Sequence, residues 1–128
     1  MLAITTRRPS SLAGCATRRD AAMADHGTAG VLTAVVTMTV KPDREEDYLA
    51  FVTGVMETVH REEPDVLLYV MHRHPQLPHT FVWVERYASR AALEAHSGSV
   101  HMAAAFQELP QFLTAPPEIL ELEQSLPA

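Results

Sequence analysis

Three stretches of this chain, Val31–Val40, Val66–Arg73 and Thr80–Ala88, are rich in β-branched and aromatic residues and apolar at odd and even positions alike. The first is a ten-residue run of Val, Thr, Leu, Ala and Met without Gly or Pro, which reads as a strand. A strand sends alternate side chains to opposite sides of its sheet. Here Leu32, Val36 and Met38 alternate with Val31 and Val35; Val66, Leu68 and Val70 alternate with Leu67, Tyr69 and Met71; Val82 and Val84 alternate with Phe81 and Trp83. A sheet built from such strands has to be covered above and below.

Cover for one side is written between the strands. Lys41-Pro42-Asp43 ends the first, and the sequence places Asp43 as a helix N-cap with Glu46 as its capping-box partner. Tyr48, Phe51, Val52, Val55, Met56 and Val59 then recur at three and four, the spacing of one buried helical stripe, before Glu63-Pro64 stops the helix. The run His60-Arg61-Glu62-Glu63 reads as a solvated face. The two later strands should form an antiparallel hairpin around His74–His79, a connector with two prolines. Ser89 can cap a second helical region that includes Ala92 and Leu93, breaks near Gly98, resumes through Val100, Ala103 and Phe106, and ends or bends at Pro110. Ile119 to Gln124 alternates Leu with Glu and reads as a last strand.

The order strand, helix, strand, strand, helix, strand predicts an α+β, ferredoxin-like βαββαβ fold, a four-stranded antiparallel sheet with two helical regions on one face. The other face would expose several hundred square ångströms of apolar surface, about the upper limit for a monomer. A second copy packed sheet to sheet about a twofold axis covers both at once, so a homodimer, a dimeric α+β barrel, is expected.

Composition limits what such a domain can do. The 128 residues allow one domain, expected over residues 30–125. Residues 1–25 lack apolar periodicity and read as a disordered leader, either a transit-like segment or the product of a start upstream of Met23. That leader carries +2 and the remaining 103 residues −8, the wrong sign for holding a phosphate backbone, which excludes nucleic acid and an RNA-binding use of the sheet. No run approaches the roughly 20 apolar residues of a membrane span, so no membrane partner is expected. The one cysteine, Cys15, lies in the leader, leaving no internal disulfide and fitting a reducing, cytoplasmic setting.

The chemistry concentrates in residues 81–101. Trp83, Glu85 and Tyr87 leave one side of a strand, and His96 falls one helical turn after Leu93, beside the buried stripe. A buried imidazole with a carboxylate nearby is how a general base working near neutral pH is made. Glu85, alone among Phe81, Trp83 and Tyr87, needs a partner if buried, and an ion pair across a dimer is one that would serve. His72, His74 and His79 approach metal-ligand spacing without an obvious fourth ligand, and no metal is expected.

Glu85-Arg-Tyr87, then Ala92-Leu93, His96 and His101, resemble the Glu-x-aromatic and Ala-Leu-x-x-His signature, with its second histidine, of the antibiotic biosynthesis monooxygenase domain family. Tyr87 stands where tryptophan is commoner in that pattern. The resemblance implies a dimeric α+β barrel and oxidation of quinols or aromatic phenols with O₂, without a cofactor. It makes His96 and Glu85 the catalytic candidates, with Trp83, Tyr87, Phe51 and His101 binding a small aromatic substrate. Related barrels that break down haem resemble an Asn-Trp-His arrangement, and the first strand has no Asn. The alternative is a non-catalytic dimer that uses the same cavity to bind a small molecule or acts as a stress-related protein.

Overall fold

The computed structural model describes residues 30–125; the expected leader and Cys15 lie outside the described residues. The unit Val31–Glu123 contains strands β1 (Leu32–Thr39), β2 (Val66–Arg73), β3 (Thr80–Tyr87) and β4 (Glu118–Glu123). Its helices are α1 (Glu45–Glu62), α2 (Arg90–Ser97) and α3 (Val100–Glu108), with short 3₁₀ turns at Pro42–Arg44 and Leu109–Phe112. The strands form one antiparallel sheet in the order β2-β3-β1-β4. This is the α+β, ferredoxin-like arrangement expected from the sequence, with the second helical region divided in two.

That division follows from local chemistry. The Ser89 side chain accepts the Ala92 amide at 3.1 Å and starts α2; the Ser99 side chain accepts the Met102 amide at 3.2 Å and starts α3. Gly98 lies between the two caps and closes α2 through its own amide on the Glu94 carbonyl. The start of α1 departs from expectation. Pro42 opens a 3₁₀ turn that takes in Asp43, so the residue before α1 is Arg44 and no side chain caps it. Asp43 is therefore not an N-cap; proline's fixed φ has begun the coiling two residues earlier.

Register assigns each side chain to a face. Ala34 sits opposite Glu85 on β3 and Glu121 on β4, and Val36 opposite Trp83 and Ile119. These residues, with Leu32, Met38, Phe81, Tyr87, Tyr69 and Met71, look toward the helices. The stripe of α1 meets them: Tyr48, Val52 and Val59 are buried and Phe51, Val55 and Met56 pack against them. The Tyr48 ring lies 5.2 Å from Phe81, and Phe51 5.2 Å from Phe112.

On β2 the alternation is broken by a bulge. Val66 pairs with Tyr87 but Leu68 with Arg86, so Leu67 is the extra residue and is about half exposed. Val66 thus packs toward the helices, and the expectation that it shares a side with Leu68 and Val70 fails because a bulge inverts the alternation along its strand. Beyond the bulge Leu68 and Val70 join Val35, Val82, Val84, Leu120 and Leu122 on the outer face, where Leu68, Val70, Leu120 and Leu122 are exposed.

Candidate functional site

Between the sheet and the helices lies a cavity of about 150 Å³. Its floor is Ala34, Val36, Tyr69, Trp83, Glu85 and Tyr87; its roof is Phe51, Val52 and Val55 from α1, Leu93 and His96 from α2, and Met102, Ala105 and Phe106 from α3. Space exists there because Ala34 is the small residue in the row Leu32, Ala34, Val36, Met38. The sequence candidates Phe51, Trp83, Glu85, Tyr87 and His96 therefore meet around one space. His101 is absent from that lining and borders a second hollow with Gly54, Val55 and Thr58.

Two polar clusters stand in or behind the wall. In the first, the Tyr87 hydroxyl donates to Glu85 Oε1 at 2.6 Å. Burial pushes the Glu85 carboxyl above the usual carboxylate range; the hydrogen bond from Tyr87 and the nearby His96 oppose this, and Glu63 adds to it. Burial also raises the Tyr87 and Tyr69 hydroxyls well above the ordinary phenol range, so both stay protonated. Glu85 thus has its partner on its own strand, two residues away.

In the second cluster His96, only 4% exposed, places Nδ1 3.0 and 3.2 Å from the two oxygens of Glu63. His101 Nε2 meets the same carboxylate at 2.5 Å. The His96 ring is set between Tyr69 and Tyr87, whose centroids are each 5.4 Å from its own. Glu63 is the residue reasoning from sequence missed. Its polar neighbours suggested a solvated face, yet its side chain is 12% exposed, because the chain leaves α1 just there and turns the carboxylate inward under α2 and α3. The one local signal was the acid immediately before Pro64, the last side chain before the helix must stop.

Deeper on the floor, Trp83 Nε1 donates to the Tyr48 hydroxyl at 3.1 Å, which in turn points at the sulfurs of Met38 and Met71 at 3.4 and 3.6 Å. Burial lifts the Tyr48 hydroxyl to about 12. The hairpin histidines are dispersed. His72 Nδ1 lies 3.2 Å from the Val82 carbonyl, His74 accepts the amides of Gln76 and Leu77, and His79 Nδ1 lies 2.7 Å from Glu45. His79 has φ +56, an uncommon conformation for a residue with a Cβ, in a connector fixed at both ends by backbone bonds to Val40 and by Thr80. Among the described residues no helix is long and apolar enough to cross a membrane.

Comparison with known proteins places this geometry. The antibiotic biosynthesis monooxygenase family pattern matches residues 31–108, which hold every site residue described above. Among solved structures, a Caulobacter crescentus protein named for that family is 24% identical, with a TM-score of 0.73 over 80% of this chain and 96% of its own. A conserved protein from Methanosarcina mazei is 18% identical at a TM-score of 0.73, covering 79% and 99%. A Mycobacterium tuberculosis protein is 26% identical at a TM-score of 0.69, covering 77% and 98%. No curated protein matches the sequence.

Proposed function

The chain belongs to the antibiotic biosynthesis monooxygenase family, and from that premise we propose that it is a cofactor-independent monooxygenase acting on a quinol or related aromatic phenol with O₂. The observation that carries this is a histidine, backed by a carboxylate, in the wall of a largely apolar and aromatic cavity. A cavity of about 150 Å³ is the size that takes up benzene, so the volume favours a substrate of one ring.

In this reading His96 removes a proton from a ring hydroxyl, and Trp83, Tyr87 and Phe51 hold the ring. The resulting phenolate is electron-rich enough to reduce O₂ directly and combine with it as a ring peroxide. Glu85, kept toward its protonated form by burial, gives a proton to the outer peroxide oxygen. The O–O bond breaks, water leaves with the hydrogen of the attacked carbon, and the protonated His96 returns its proton to Glu85. The ring gains one oxygen and loses two hydrogens; O₂ takes four electrons, all from the substrate. His101 enters through Glu63, outside the cavity wall. The outer apolar face of the sheet supports packing against a second copy, giving a homodimer.

Oxygen consumption tests the reading. Wild-type protein at catalytic concentration should consume O₂ with a single-ring quinol, and His96→Ala should slow it about 100-fold. Wild-type protein that raises its melting temperature with such quinols but consumes no O₂ would be a binder and would overturn the enzyme reading.

A further inference from the structure

Glu63 does not border the cavity, yet it is bonded to the imidazole that does. We propose that Glu63 is a positioning residue: its carboxylate fixes the His96 tautomer and ring direction so that Nε2 presents a lone pair to the substrate hydroxyl. The proposal rests on the reading of His96 as the base.

The two nitrogens of a neutral imidazole differ, and the partner of one decides the state of the other. An ionised carboxylate only accepts, so Nδ1, at 3.0 and 3.2 Å from its two oxygens, carries the hydrogen and Nε2 does not. Tyr69 and Tyr87 flank the ring and restrict its tilt. Glu63 is in turn held from both ends. Its amide closes α1 on the Val59 carbonyl at 2.9 Å, and its Oε2 takes His101 Nε2, which starts from a different helix than His96. A carboxylate bridging α2 and α3 at the end of α1 is therefore aimed before any ligand arrives. When His96 accepts the substrate proton, the same carboxylate still takes the Nδ1 hydrogen, so the ring keeps its direction through the step. The other titratable groups around this carboxylate are Tyr69 on β2, Glu85 and Tyr87 on β3, and His101 on α3.

Glu63→Gln keeps the shape and removes the charge, and two independent readouts follow. In long-range ¹H–¹⁵N NMR of the full chain, wild-type His96 should be protonated at Nδ1, and E63Q should lose that preference. In quinol-dependent O₂ uptake, E63Q should lower kcat about 100-fold with KM little changed. Glu63→Asp, which retains the charge, should restore much of both. E63Q with the wild-type tautomer and an unchanged kcat would overturn the proposal, as would E63D behaving like E63Q while folded. If E63Q does not fold, a wild-type His96 protonated at Nε2 overturns the proposal by itself. Wild-type protein inert toward every quinol would fail the oxygenase reading, and the NMR tautomer would then decide the positioning role on its own.

Discussion

Glu85 illustrates how one side chain can be set against the stability of its own domain. Burial raises its folded-state carboxyl above the unfolded value, so the folded chain binds the proton more tightly. Its contribution to stability is fully present below the unfolded value and is lost as pH rises through the raised one. Glu85→Gln, which still accepts from Tyr87, should therefore raise the melting temperature at pH 8 and have little effect at pH 4. Thermal unfolding at the two pH values checks it, and an equal gain at both would contradict the burial argument. The residues legible from sequence were those whose meaning is local: Trp83, Glu85 and Tyr87 by strand alternation, His96 and Phe51 by helical spacing. Glu63 was illegible because its partners lie 33 and 38 residues away, and no period relates the end of α1 to the faces of α2 and α3.

At the scale of elements, position in the site depends on how helices start. His96 and His101 reach one carboxylate because two short helices, each begun by a serine, lie on either side of Gly98. Removing the Ser89 cap frees the Ala92 amide, and Ser89→Ala should lower unfolding free energy by about 1 kcal/mol in urea titrations. All four strands, and α1 almost to the residue, could be read from period and punctuation. Two details could not. Asp43 had the right type and spacing for a cap, but Pro42 coils the backbone before it. The bulge at Leu67 leaves no mark in the pattern, because Val66, Leu67 and Leu68 are all apolar and suit either face.

For the molecule as a whole, the unresolved demand of the sequence is the outer sheet face. The helices satisfy one side and leave Leu68, Val70, Leu120 and Leu122 exposed around half-buried Val35, Val82 and Val84. Light scattering at micromolar concentration should give twice the monomer mass, and Val84→Lys, a charge placed mid-face, should give the monomer. A wild-type monomer would remove the homodimer from the reading. The same pleat carries both surfaces: on β1 the even positions wall the cavity and the odd ones look outward, and on β3 the parities are reversed. Neighbouring codons therefore address different properties. Randomising Ala34 and Val36 varies what enters, randomising Val35 and Thr37 varies what associates, and a library staggered by single residues would separate the two phenotypes without moving the backbone they share.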